Sequence, residues 1–135
     1  MKRQDRIVTA ARAAIGAPFR LHGRDPENGL DCVGLAVLAL ARAGHERAQA
    51  LAPAAYSVRG GCVSQFAAAL RAAGLRPVRK GKAGDLVLVQ AGVAQFHLMI
   101  ACPGGHVHAH AGLGRVVEMP GTSPWPVIAR YRWGK

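Results

Sequence analysis

The chain has 135 residues, 50% hydrophobic and 19% charged, which excludes a disordered polymer and suits one domain, residues 1–135, with a single core. A formal charge of +11, from 18 Lys and Arg against 7 Asp and Glu, predicts attraction to a polyanion, although a basic host proteome explains the same charge. The basic residues are scattered, without zinc-finger spacing or an aromatic RNA-binding signature, so no specific nucleic-acid binding is predicted.

The first half of the sequence predicts helices. Apolar residues recur at helical spacing over residues 3–15, 32–43 and 63–74, and glycines at positions 16, 44 and 74 close these patterns. Between the helices, residues 17–31 form a polar loop rich in turn formers, and residues 45–59 favour no single element.

The second half changes to a period of two, which is typical of strands. Short runs bounded by glycine or proline predict strands over residues 84–92, 95–102, 105–112, 114–121 and 127–133. Helices followed by hairpin-connected strands indicate an α+β domain, with N-terminal helices packed on an antiparallel sheet of about five to six strands.

The N-terminal residues do not resemble a targeting signal. Asp5 and Arg12 would fall inside the apolar core of a signal peptide, so none is predicted. The longest apolar stretch, residues 33–41, is far below the roughly 20 residues that span a bilayer, so no membrane span is predicted. We therefore expect a protein made in the cytoplasm, which acts outside the cell only if something else delivers it.

The three cysteines have different surroundings. Cys32 stands between Asp31 and an apolar helix, where the outward-pointing amides and the helix dipole favour a thiolate. Asp31 is expected to cap this helix by accepting amide hydrogen bonds. Cys62 and Cys102 have no acidic or histidine neighbour at a spacing that indicates a catalytic or metal site, so both are predicted to be packing residues. The odd number of cysteines predicts at least one free thiol.

Four of the six histidines lie between positions 97 and 110. His106, His108 and His110 alternate along one predicted strand and so share a face, and His97 lies in the strand before it. Two chemistries are open: a nucleophilic Cys32 with a histidine base and a polar group that orients the base, or a zinc site made of imidazoles. A buried structural cysteine and ordinary strand histidines are the simpler alternative for each residue alone.

Four segments, in chain order, resemble the NlpC-type family of bacterial cell-wall cysteine peptidases, whose fold is a compact relative of papain. "IGAPFRLHGRDPENGLDCVGL" (15–35) is similar to the family's Gly-x-Pro-Tyr-Arg-x-Gly-Gly loop and the Asp-Cys-Ser-Gly that follows it. "GDLVLV" (84–89) resembles the Gly-Asp-Leu strand, "HLMIA" (97–101) the His-Val-Gly-Ile-Tyr strand and "HVHAHAG" (106–112) the Phe-Ile-His-Ala segment. The resemblance implies one papain-like NlpC-type peptidase domain.

The resemblance also implies roles by position. Cys32 matches the nucleophile, His97 the general base and His108 the third polar residue that orients the base. A shift of the match by one pair along the strand would keep the same face and select His106 or His110 instead of His108. No metal and no cofactor is implied.

Four further residues belong to the implied substrate and oxyanion neighbourhood. Asp31 precedes the nucleophile, whose own backbone N–H lies near the position of the oxyanion, and Gly34 permits close backbone approach. Two residues depart from the family pattern: Phe19 replaces a tyrosine and so lacks its hydroxyl, and Val33 replaces the serine after the nucleophile. We associate the second change with the phage-tail and gene-transfer-agent branch.

The function implied is hydrolysis of amide bonds in peptidoglycan stem peptides, of the type that joins D-glutamate to a diamino acid. The expected partners are peptidoglycan peptides and phage-tail-like structural proteins, with delivery to the cell wall or periplasm by a particle. Two alternatives stay open: a catalytically inactive tail or wall-binding protein of the same fold, and a zinc-binding hydrolase that uses the histidine cluster.

Overall fold

The computed structural model describes residues 1–51, 63–93 and 95–134. The helices in these ranges are α1 (Arg3–Ala13), α2 (Cys32–Arg42) and α3 (Val63–Ala72), with a 3-10 turn over Ala48–Ala50. All three predicted helices are present, and each ends slightly before its predicted limit. The predicted packing role of Cys62 and most of the ambiguous segment lie outside the described residues.

Eight strands lie within the described ranges. They are β1 (Arg24–Asp25), β2 (Gly29–Leu30), β3 (Leu75–Val78), β4 (Leu86–Gly92), β5 (Gln95–Cys102), β6 (Gly105–His110), β7 (Arg115–Pro120) and β8 (Val127–Trp133). Six of them form an antiparallel sheet in the order β3-β8-β4-β5-β6-β7, and β1 pairs with β2. The predicted α+β class and the number of strands in the main sheet are confirmed.

Two elements differ from the prediction. The polar loop over residues 17–31 contains the β1–β2 hairpin, whose two-residue strands are too short to show a period of two. Strand β3 was missed because Arg76 and Pro77 are exposed in it, and a proline within a short run argues against a central strand. Among the described strands, β3 lies at the edge of the sheet and pairs with β8 alone, a position where proline is tolerated.

The helices cover one face of the sheet, and α2 packs on β5 and β6. The fully buried side chains of this core include Ile7, Leu35, Leu40, Leu88, Leu98 and Ile100. A smaller cluster, Val87, Val89 and Met99, is buried on the opposite face under Trp125. Burial on both faces explains the continuous apolar run "LVLV" in β4. Each buried Leu, Ile, Val or Met contributes roughly 1.5–3 kcal/mol.

A glycine cap follows the C-terminal end of α2. Gly44 has φ +97°, and the N–H of His45 donates to the carbonyl of Leu40 at 2.9 Å. This is the predicted glycine cap, in which a left-handed residue satisfies a carbonyl at the helix end. No helix among the described residues is long and apolar enough to cross a membrane.

A buried ion pair joins the start of β4 to β8. Asp85 is 0% exposed and accepts from Arg132 Nε at 2.7 Å, from Arg132 Nη2 at 2.8 Å and from the backbone N–H of Lys82 at 2.7 Å. We expect Asp85→Ala to lower the free energy of unfolding by about 3 kcal/mol, because it leaves a guanidinium without its partner in a largely buried position. Urea unfolding of the variant and the wild type measures this loss.

The matched control is the second ion pair, between Arg12 and Glu118. Their side chains are 41% and 28% exposed, with a 3.0 Å contact, so Glu118→Ala should cost much less than Asp85→Ala because water screens the pair. Equal losses in the two variants would contradict the structural role assigned to Asp85.

Candidate active site

The N-terminus of α2 is held by a carboxylate and two close backbone contacts. Asp31 is buried, accepts from the N–H of Gly34 at 2.8 Å and from the N–H of His22 at 2.7 Å, and so caps the helix as predicted. A Cβ on Gly34 would lie 1.9 Å from the carbonyl oxygen of Gly23. Only glycine therefore allows the preceding loop to lie against the first turn of α2.

His22 is the residue of this loop that departs most from ordinary geometry. Its φ of 63° is the only positive value at a non-glycine residue in the described ranges. The left-handed conformation turns the N–H of His22 toward Asp31. The loop and the helix start are thus joined through one carboxylate, which positions Cys32 at the first helical residue.

Strands β5 and β6 separate beside this helix start. Among the described residues, β5 and β6 pair only from Ile100 opposite Val107 to Cys102 opposite Gly105. The earlier part of β5 is paired with β4 alone. The backbone N–H of Leu98, on β5, acts to lower the pKa of the Cys32 thiol. Cys32 on α2 and His97 on β5 line the same cleft, although 65 positions separate them in the sequence.

His97 and His108 form a pair across this gap. Nε2 of His97 lies 2.9 Å from Nδ1 of His108, with the two rings nearly perpendicular. If His97 Nε2–H donates to His108, then Nδ1 of His97 carries the lone pair that a general base needs. The geometry selects His108 over the other two strand histidines as the partner of His97.

The other histidines of β6 lie elsewhere on the same face. Val107 and Ala109 point into the main core, so His106, His108 and His110 share the opposite face, as the period of two predicts. The backbone of Gly121, away from the pair, acts to raise the pKa of His106 against the larger lowering by burial. His110 lines the same cleft as Cys32 and His97.

These groups line a cleft of about 420 Å³. Phe19 and Val33 also line it, together with Trp125, which packs edge-on against both His97 and His108 at ring-centroid distances of 5.7 and 5.5 Å. Trp125 is held by Ser123, whose hydroxyl both donates to its carbonyl and accepts from its N–H. The indole covers the histidine pair and makes this end of the cleft apolar.

The cleft changes the protonation of Cys32. Burial raises the pKa of the Cys32 thiol to about 11; the N–H of Leu98 lowers it less, and the charge of Asp31 raises it. Burial of the sulfur therefore opposes the thiolate that the helix N-terminus favours. Removing water from the sulfur outweighs the amides that point at it.

Burial also keeps both paired imidazoles neutral. It lowers the pKa of His97 to about 3, with a further lowering by the charges of His108 and His110. It lowers the pKa of His108 to about 4, helped by the charges of His110 and His106. With these shifts, we expect the Cys32 thiol and the His97 ring to be uncharged at neutral pH in the cleft that both line.

Three cleft residues, Trp125, His22 and Phe66, were not predicted from the sequence. Trp125 stands between two prolines, and Phe66 on α3 packs edge-on with Phe96 of β5. Single residues in turns or on a helix face give no signal of a cleft before the elements are assembled. In the part of the chain that the structure describes, no three His, Cys, Asp or Glu side chains are arranged to hold a metal ion.

Comparison with known proteins identifies the fold. No family model matches the chain, and neither does any curated protein. The NlpC/p60 domain of the peptidoglycan hydrolase SagA is 26% identical, with a TM-score of 0.53 over 87% of this chain and 88% of that one. The P60 domain of antigen MAP1204 from M. avium subspecies paratuberculosis is 19% identical, with a TM-score of 0.59 over 97% and 93%.

The chain thus has the fold of NlpC/p60 domains, as the sequence motifs predicted. These neighbours support the assignment to the NlpC-type family. They do not bear on the phage-tail branch, which stays a prediction.

Proposed function

We propose that this chain is a cysteine peptidase that hydrolyses amide bonds in peptidoglycan stem peptides, between D-glutamate and a diamino acid. The observation that carries this proposal is the placement of Cys32 and the His97–His108 pair in one cleft. The fold adds support, because one of its structural neighbours is a domain of a peptidoglycan hydrolase. The resemblance in sequence supplies the bond type.

In the acylation step, Nδ1 of His97 takes the proton from the Cys32 thiol as the sulfur attacks the amide carbonyl. The attack forms a C–S bond and an oxyanion, which the backbone N–H of Cys32 at the helix start stabilises. His97 then gives its proton to the departing amine as the C–N bond breaks. The product is a thioester on Cys32 and a free amine.

In the second half of the reaction, His97 acts again as the base. It removes a proton from water, the resulting hydroxide attacks the thioester, and the C–S bond breaks. The proton returns to the sulfur, so the products are a carboxylic acid and the original thiol. His108 holds the His97 ring so that the same nitrogen faces the sulfur in both halves.

Digestion of purified muropeptides, read by mass spectrometry, tests this function. Cleavage by the wild type names the bond from the masses of the fragments. A properly folded wild type that cleaves no stem peptide would support the inactive wall-binding alternative, which the apolar Phe19 in place of a tyrosine favours.

Alkylation of Cys32 tests its protonation state. We expect iodoacetamide to react slowly at neutral pH and faster toward alkaline pH, because the thiolate forms only as the pH approaches the raised pKa of about 11. Mass spectrometry of the adduct on Cys32, between about pH 5 and about pH 10, gives the rate profile.

His97→Gln is the control for this profile. A neutral pair predicts the same alkylation profile in the variant, because no imidazolium stabilises the sulfur. Fast alkylation of the wild type at mildly acidic pH, abolished in His97→Gln, would instead show a thiolate–imidazolium ion pair.

We further propose that the protein acts as part of a phage-tail or gene-transfer particle, which carries it to the cell wall. This rests on Val33 after the nucleophile, a residue that we associate with that branch. Co-purification with a tail structure is the expected result. Recovery only as a freely secreted protein would contradict the proposal.

A further inference from the structure

His110 is a cleft histidine with no part in the mechanism above. Its ring centroid lies 5.3 Å from that of His108, so it is next to the paired histidines without joining their hydrogen bond. It ends β6, at the point where the chain turns toward β7.

The turn fixes which nitrogen of His110 carries the proton. The N–H of Leu113 donates to Nδ1 of His110 at 3.0 Å, so Nδ1 is an acceptor and, in the neutral ring, Nε2 carries the hydrogen. Gly112 lies under the same ring, because a Cβ there would be 3.1 Å from Cε1 of His110. The ring is therefore held in one tautomer and from one side.

Nε2 of His110 is a donor that reaches the cleft. His110 is only partly buried and lines the cleft. Some buried side-chain nitrogens of the described residues lack a hydrogen-bond partner, and Nε2 of His110 is not one of them. The carboxylate that also lines this cleft, Asp31, is buried and holds two backbone N–H groups. Among the described residues, the wall near His110 thus offers a hydrogen-bond donor and no competing exposed acid.

We propose that His110 forms a substrate-binding subsite, in which Nε2–H donates to an acceptor oxygen of the bound stem peptide. The oxygen belongs to a peptide carbonyl or to a free carboxylate beside the scissile amide, and both accept from the same N–H. This subsite rests on the proposed peptidase function. It makes His110 a substrate-binding residue that takes no proton in the reaction.

Two substitutions separate the two nitrogens of His110. Asparagine places its side-chain oxygen near Nδ1 and keeps the bond from Leu113, but it has no donor at Nε2. Glutamine places its side-chain amide near Nε2 and keeps the donor, but it loses the acceptor for Leu113. His110→Asn and His110→Gln are therefore matched controls for each other.

Steady-state kinetics on a soluble muropeptide give the expected result. His110→Asn should raise KM roughly fivefold to tenfold with kcat little changed, whereas His110→Gln should stay within about twofold of the wild type. The KM effect should shrink on a substrate with an amidated carboxylate if the oxygen is a carboxylate, and persist if it is a carbonyl. Three results would overturn the subsite. KM could rise in His110→Gln but not in His110→Asn, it could rise equally in both variants, or it could change in neither.

Binding separates this inference from the proposed function. In a Cys32→Ala background, the affinity for the same muropeptide should fall in His110→Asn and be retained in His110→Gln. A wild type that does not cleave refutes the peptidase function, and the binding comparison still decides whether His110 holds the peptide. Equal affinities in all three proteins overturn the subsite even if cleavage is established.

Discussion

Cys32→Ala is expected to reduce cleavage of stem-peptide substrates by at least about 10⁴-fold, to the uncatalysed background, because the sulfur is the atom that forms the covalent intermediate. The variant should fold, since alanine is smaller than cysteine and suits a helix. Turnover is measured by mass spectrometry of the fragments, alongside a thermal melt of each protein.

Cys102→Ala is the matched control for this loss. Cys102 is a buried thiol at the end of β5, on the core side of the sheet, and it does not line the cleft. Its removal should leave kcat near the wild-type value and cost some stability through lost packing. Cleavage that survives in Cys32→Ala would move the chemistry to another group and reopen the histidine-based alternative.

Gly34→Ala should have the largest effect on stability and should also abolish activity. Its Cβ would lie 1.9 Å from a backbone oxygen of Gly23, and backbone cannot move aside as a flexible side chain does. We expect the free energy of unfolding to fall by at least about 4 kcal/mol, because either the loop or the first turn of α2 must move away from the other. Thermal or urea unfolding measures it.

Gly104→Ala provides the comparison for this variant. Gly104 has φ +79°, but a Cβ at this position would have no atom within 4 Å, so the substitution should cost only the backbone strain of roughly 1–2 kcal/mol. A Gly34→Ala protein as stable as Gly104→Ala would show that the loop does not lie against α2 in solution. Retained activity in a destabilised Gly34→Ala would show that the loop is not needed to place Cys32.

Much of the fold followed from local patterns. Each of the three helices appears as a run of apolar residues at helical spacing with a glycine at its end, and such patterns depend on neighbours a few positions away. The capping role of Asp31 was predictable for the same reason, since a cap contacts an amide three residues on. Strand β3 was not, because Arg76 and Pro77 are acceptable there only through pairing with β8 at the far end of the chain.

The chemistry of the site divides in the same way. The sequence by itself determined a thiol at the start of a helix and a strand whose alternate positions carry imidazoles on one face, because both follow from local geometry. Only the tertiary structure decided that His108 is the hydrogen-bond partner of His97 and that burial opposes ionisation of the thiol. Both depend on which groups distant segments bring together, and on how far Trp125 and the surrounding elements keep water away from them.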